Sequence, residues 1–275
     1  MMRTMPAAKR ALTTSSGALH FTRAGSGSPC ILLHGLGSSQ QAFSETIPLL
    51  ARHHEVFAID LLGHGDSEMN ALDLSPAGQA EAVLQLIHDL RLEGLTLVGH
   101  SLGGSAAVHI AAALPERVRK MVLISAGCYE IHLPIAWRLL RSRFLWGALG
   151  LVGPLRAWAL RRAARLLYTQ PAAMEQRLMG SRAATRQGWS AAGRAFRQST
   201  SEAALSGLER LVEVALPSPT LVIWGSDDRL VPVTAARALF LEKESVRFIE
   251  VAWGSHGLLE EDTGIVNDLI LDFLG

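Results

Sequence analysis

Five residues, Gly99-His100-Ser101-Leu102-Gly103, place a hydroxyl between two glycines, directly after the apolar run Leu95–Val98 and directly before a stretch of helical periodicity. A strand that turns this sharply into a helix forces its central residue into strained backbone geometry, and small residues on both sides permit the close approach. The turn would present the Ser101 hydroxyl at a sheet edge, at a helix N-terminus that favours developing negative charge. Serine is a weak nucleophile until a base takes its proton, and the base needs a carboxylate to orient it. Two later segments offer these groups. Gly225-Ser226-Asp227-Asp228-Arg229-Leu230-Val231-Pro232 follows the apolar run ending at Trp224, and Gly254-Ser255-His256-Gly257 follows the run ending at Val251. A fourth segment, His34-Gly35-Leu36-Gly37, follows the run Cys30–Leu33. A glycine turn there can aim the backbone N–H of Leu36 at a reacting oxygen, with the N–H of Leu102 as a second donor.

These groups lie far apart in the chain, so a fold must bring them together. Six short apolar runs read as strands: Cys30–Leu33, Val56–Ile59, Leu95–Val98, Met121–Ile124, Thr220–Trp224 and Val246–Val251. They are nearly continuous in apolar character, as strands covered on both faces are. Helical stretches alternate with them, around Phe43–Arg52, Ser75–Leu90, Leu102–Leu114, Thr234–Leu241 and Gly264–Leu274. The alternation implies right-handed crossovers and an α/β fold with a mostly parallel sheet, helices on both faces. Residues 10–24 read as one or two leading strands at an antiparallel edge. In this architecture all four chemical segments follow the carboxyl ends of strands, where open α/β sheets bind ligands.

One stretch breaks the pattern. From about Tyr129 to Val212 no strand is evident, and the sequence reads as a helical insertion roofing the site. The expected organisation is a core of residues 1–128 and 213–275 with a helical cap at 129–212. The insertion's charge is lopsided: between 129 and 200 there are twelve arginines, no lysine, and only Glu130 and Glu175 as acids. That segment carries about +10 and the remainder about −9, although the whole chain balances at +1. Solvated arginine faces explain such a segment without any partner. The sharper expectation is a contact with an anionic partner, whether phospholipid headgroups, coenzyme A or an acidic acyl carrier, and Trp137, Trp146 and Trp158 interleave with the arginines as in an interfacial helix.

Composition removes other classes. An apolar content of 49% and a charged content of 19% argue against disorder, and a net charge of +1 against a nucleic-acid binder. Two cysteines cannot staple a fold of 275 residues or supply a four-cysteine zinc site. Cys30 and Cys128 fall at opposite ends of parallel strands, too far apart to pair, and read as reduced thiols suited to a cytoplasmic location. Neither H-E-x-x-H nor C-x-x-C occurs, so no metal is expected. The basic N-terminus, Met1–Arg10, is followed by no apolar core and reads as a lead-in to the first strand. Phe144–Leu155 is the longest uncharged stretch and is too short to span a bilayer. His34 and His64 lie in glycine turns and read as structural. Asp60 and Asp66 read as loop-fixing residues, and Glu260 as a helix-start residue.

The motifs HGLG (34–37), DLLGHGDS (60–67), GHSLGG (99–104), WGSDDRLVP (224–232) and GSH (254–256) occur in an order that resembles the α/β-hydrolase fold family with a helical cap. The resemblance spans nearly the whole chain outside the insertion. It implies Ser101 as nucleophile, His256 as general base and acid, and Asp228 rather than Asp227 as its orienting carboxylate, since Asp228 fits the spacing from Gly225 to Pro232. The N–H groups of Leu36 and Leu102 would form the oxyanion hole. Serine at position 101 argues against branches of the family that place aspartate there. The resulting expectation is a serine hydrolase, without cofactor, acting on an ester or thioester of a largely apolar acid. The apolar preference is inferred from the insertion's leucines and tryptophans, Phe144 and Tyr168. The same groups can also serve a carbon–carbon bond hydrolase or a perhydrolase, and a non-catalytic binding module on the same scaffold is the alternative outside enzymes.

Overall fold

The computed structural model describes residues 7–127, 142–181, 184–216 and 219–275. Eight strands form one sheet: β1 (Ala8–Thr14), β2 (Gly17–Gly25), β3 (Ser28–Leu33), β4 (His54–Asp60), β5 (Leu95–His100), β6 (Val118–Ile124), β7 (Thr220–Gly225) and β8 (Val246–Val251), in spatial order β1-β2-β4-β3-β5-β6-β7-β8. The leading pair forms the expected antiparallel edge, β1 on β2 and β2 on β4, and every later pairing is parallel. All six expected strands are present.

Alternation within the strands divides the core. Ile31, Leu33, Leu97, Leu123 and Trp224 point to one face, where α2 (Pro76–Asp89), α3 (Leu102–Ala113) and α9 (Val233–Phe240) cover them. Cys30, Leu32, Val98, Ile124 and Ile223 point to the other, under Leu50 of α1 (Thr46–Leu50) and Val266 and Ile270 of α11 (Thr263–Leu274). This period of two explains why the strand sequences are apolar throughout. Cys30 is a free thiol in that core, and burial pushes its pKa up to about 12, so it is unreactive. Cys128 lies outside the described residues.

The helix expected at Phe43–Arg52 is shorter than its sequence suggests. A single 3₁₀ turn, Gln40–Phe43, precedes α1, which starts only at Thr46. Pro48 has no N–H to return to the carbonyl of Ser44, so it fits the first turn of α1, where that N–H has no intrahelical partner, and not the interior of a helix begun at Phe43. Elsewhere the caps follow the sequence: Ser75 accepts the N–H of Gly78 at 3.2 Å at the start of α2.

Between β6 and β7 the described residues form helices α4 (Arg143–Leu151), α5 (Gly153–Leu167), α6 (Pro171–Gly180), α7 (Arg186–Ser199) and α8 (Glu202–Ala215). The last runs past residue 212 and packs on α3, adding Val212 to the core beneath the sheet. Hence α8 shares the flank of the core instead of standing over the strand ends. Trp146 packs within the inserted helices, its ring 4.3 Å from that of Trp189, whose indole N–H donates to the Trp146 carbonyl at 3.0 Å. Among the described residues no helix is long and apolar enough to cross a membrane.

Strand and helix approach closely at Gly103, where a Cβ would overlap the carbonyl of Leu33 and lie 2.7 Å from that of His34. Gly103→Ala is therefore expected to destabilise by about 1–3 kcal/mol, read as a lower urea midpoint. Gly207, exposed on α8 with no neighbour within 4 Å, provides the contrast. Gly207→Ala is expected to stabilise by about 0.5–1 kcal/mol, since it removes only backbone entropy. Equal midpoints for the two variants would contradict the packing described at Gly103.

Candidate active site

Parallel register aligns the carboxyl ends: Leu33 lies beside Gly99, His100 beside Ile124, Ile124 beside Ile223, and Gly225 beside Val251. The loops that follow these residues meet at one edge. Ser101 opens α3 with φ 50° and ψ −115°, in the left-handed region that a non-glycine residue enters only under constraint. Its N–H donates to the Ile124 carbonyl at 3.0 Å, and its carbonyl accepts the N–H of Ser105 at 3.1 Å. Both ends of the turn are thus tied, one to the neighbouring strand and one to the helix.

Nε2 of His256 lies 3.0 Å from Oγ of Ser101, and Nδ1 lies 2.8 Å from Oδ2 of Asp228. The other carboxylate oxygen of Asp228 accepts the backbone N–H groups of Leu230 at 2.9 Å and Val231 at 2.7 Å. Asp228 and His256 are buried, whereas Asp227 is exposed and uses its N–H on the Gly254 carbonyl. A carboxylate held by two amides keeps the Nδ1–H of the imidazole toward itself, which leaves the lone pair of Nε2 for the Ser101 hydroxyl. Such an arrangement can draw off the hydroxyl proton as the oxygen attacks an electrophile.

Gly35 runs directly over this turn, since a Cβ there would stand 3.2 Å from Cβ of Ser101 and 2.9 Å from Nδ1 of His100. Leu36 follows it, and Leu102 is the first residue of α3. No hydrogen bond among the described residues uses either N–H. Both N–H groups thus belong to residues next to the turn, Leu36 through its neighbour Gly35 and Leu102 through its place after Ser101.

The histidines beneath the site are fixed by backbone. His34 donates from Nδ1 to the Gly35 carbonyl at 2.7 Å and accepts the Leu61 N–H at Nε2, 3.0 Å away, so its ring is neutral. His64 reaches the Leu62 carbonyl from Nδ1 at 3.0 Å. His100 donates from Nε2 to the carbonyl of His256 at 2.9 Å and so braces the loop that carries the base. Asp60 accepts the N–H of Gln40 at 2.8 Å and of Asp66 at 3.0 Å, fixing its loop.

Sequence reasoning passed over Glu261. Its carboxylate accepts the hydroxyl of Ser255 and the N–H groups of Thr169, at 3.2 Å, and Gln170. It therefore caps the start of α6 from outside that helix and joins the inserted helices to the residue before His256. Glu260 accepts the Ser38 hydroxyl at 2.9 Å. An acidic pair in a short helix gives no sign of a distant partner, so only the tertiary contact reveals these roles. Tyr168 lies against Gly257, beside His256.

A cavity of about 600 Å³ adjoins the site. Leu36, Ile47, Tyr168, Met174 and Ala192 contribute apolar surface, facing Ser38, Gln41 and Asp66. Ser101 and His256 are not among its lining residues; of those that are, Leu36 follows Gly35, which adjoins Ser101, and Tyr168 lies against Gly257. The wall is more mixed than the sequence suggests. Trp158 points outward and Trp146 packs internally, while Trp137 and the side chain of Phe144 lie outside what the structure describes.

The sequence profile of the alpha/beta hydrolase fold matches residues 29–263, and the chain belongs to that family. An alpha/beta hydrolase fold protein from Burkholderia ambifaria superposes with a TM-score of 0.84 over 96% of this chain and 97% of that one, at 22% identity, which shows the fold. An uncharacterized protein of Mycobacterium tuberculosis is 39% identical over 43% of this chain and 35% of its own length. The match to that relative thus spans about a third of it. The magnesium-chelatase 30 kDa subunit of Rhodobacter capsulatus is 31% identical over 89% of this chain and 86% of its own.

Burial holds His34, His64 and His100 below the ordinary histidine value of 6.5, and for His100 the depression reaches about 4, with the nearby His256 adding to it. As pH falls below 6.5 the unfolded chain binds protons that the folded one refuses, so acid removes stability. For His100 alone the loss approaches about 3 kcal/mol by pH 4. Denaturant midpoints measured from pH 7 to about pH 4 should fall steadily, and less steeply in His100→Gln. A profile as steep in the variant as in the wild type would contradict this.

Proposed function

We propose that this protein is a serine hydrolase that cleaves a carboxylic ester or thioester through an acyl-enzyme. The observation that carries the reading is the chain of contacts from Asp228 through His256 to Ser101, at 2.8 and 3.0 Å. In this mechanism Oγ of Ser101 forms a bond to the acyl carbon while Nε2 of His256 takes its proton. The carbonyl oxygen becomes an oxyanion between the N–H groups of Leu36 and Leu102, and its collapse expels the leaving group, which receives the proton from His256. Water then repeats the sequence on the acyl-enzyme and frees the acid. Asp228 acts on His256 and not on the substrate, orienting the ring and stabilising its charged form.

The acyl group is proposed to be largely apolar and to lie along Leu36, Ile47, Tyr168 and Met174. Residues 129–212 are proposed to act as the cap that shapes this space, with Tyr168, α6 and α7 bordering the cavity and α8 anchored to the core. A carbon–carbon hydrolase or perhydrolase would use the same triad, and p-nitrophenyl esters of graded chain length separate these readings. Turnover that rises with acyl length supports the esterase, and sluggish turnover at every length opposes it. Ser101→Ala should lower kcat by about 10⁴-fold or more, and Asp228→Asn by about 10⁴-fold with KM little changed. Activity surviving in Ser101→Ala would refute the mechanism.

A second reading rests on the near full-length similarity to the magnesium-chelatase 30 kDa subunit. In it the chain serves a magnesium-inserting assembly. Adding the protein, or Ser101→Ala, to purified chelatase subunits and following metal insertion tests this, and an unchanged rate with both excludes it.

A further inference from the structure

Helix α5 has two opposed faces. Leu160 and Ala164 are buried, and at 100° per residue Leu155, Trp158, Arg162 and Arg165 fall on the opposite side, all exposed. Leu151 and Val152, immediately before α5, are exposed as well. The apolar members are far from marginal, with Leu151 65% and Trp158 59% exposed. Four large apolar side chains left in water within eight residues mark a surface suited to being covered.

The charge beside the patch says what covers it. Arg161 pairs with Glu175 at 2.6 Å, and Arg156 reaches the carbonyls of Gly150 and Ala184. Arg162 and Arg165 have no ion pair among the described residues, and no acidic residue occurs between Glu130 and Glu175. Moving along α5, leucine and tryptophan give way within two turns to uncompensated guanidinium groups. Arginine stems tolerate an apolar boundary while their heads reach phosphate, and tryptophan suits the same depth. A soluble carrier would meet the charge but leave the tryptophan and leucines in contact with water.

We propose that the α4–α5 surface docks on an anionic lipid bilayer, with Leu151, Leu155 and Trp158 entering the headgroup boundary and Arg162 and Arg165 binding lipid phosphates. The same helix leads to Tyr168, which lines the cavity and touches Gly257 beside His256. Docking would therefore set the border of the cavity at the membrane surface, where an apolar substrate is concentrated. Binding itself requires no turnover, so it is tested separately from the hydrolase reading by using Ser101→Ala alongside the wild type.

The experiment is co-sedimentation with phosphatidylcholine vesicles, with and without about one-third phosphatidylglycerol, at low and at high ionic strength. Both proteins should bind the anionic vesicles at least about tenfold more strongly than the neutral ones, and high salt should release them. Arg162→Glu with Arg165→Glu should lose about tenfold or more on anionic vesicles, and Leu155→Ala with Trp158→Ala should weaken binding at either salt concentration. Thermal melts matching the wild type exclude misfolding, and where a double variant melts early the single substitutions Arg162→Gln and Trp158→Ala replace it. Equal binding to neutral and anionic vesicles, no binding to either, or folded variants that bind like the wild type would each overturn the proposal. Binding to an acidic acyl carrier protein without vesicle binding would assign the surface to a protein instead.

Discussion

At φ 50° and ψ −115°, Ser101 occupies backbone space that costs on the order of 1–3 kcal/mol, and the rest of the molecule is arranged so that it cannot leave. Its N–H is bound to β6, its carbonyl to α3, and the absence of a side chain at Gly103 lets α3 come down onto the carbonyl of Leu33. Parallel register then places the loops after β3, β5, β7 and β8 at the same edge. Without that register the imidazole at 256 and the carboxylate at 228 would be chemically ordinary groups on separate loops. The site is thus a consequence of sheet geometry before it is one of side-chain chemistry.

The core supports the site in a second way, by keeping charge out. His34, His64 and His100 are buried and bound to main chain, so three neutral rings lie under the one histidine that contacts Ser101. A protonated neighbour would repel the imidazolium that the proposed proton transfer would form on His256. Depressed basicity beneath the site therefore serves the chemistry as well as costing acid stability.

Much of this was legible in the sequence because it depends on local rules. Two-sided burial makes continuous apolar runs, so the strands stood out, and glycines at 99 and 103 marked the turn that needs them. Periodicity over Phe43–Arg52 carries no sign of where the helix starts, which the missing N–H of Pro48 restricts. The bridge from Glu261 to Thr169 and Gln170 was not legible, because nothing local to an acidic pair indicates a partner ninety residues away. The placement of the insertion's aromatic residues was not legible for a related reason. Composition shows that tryptophans are present, but only packing shows that Trp146 faces Trp189 while Trp158 faces outward. Asp228 was distinguished from Asp227 by motif spacing, and burial of the one beside exposure of the other gives the physical reason.

The most direct test of the account is the site of covalent capture. Intact protein treated with a fluorophosphonate ester, then digested and mapped by mass spectrometry, should carry one adduct, on the peptide containing Ser101, formed at a rate that falls sharply in His256→Gln. No adduct on a folded protein, or an adduct at another serine, would contradict the claim that the hydroxyl at 101 is the group this fold activates.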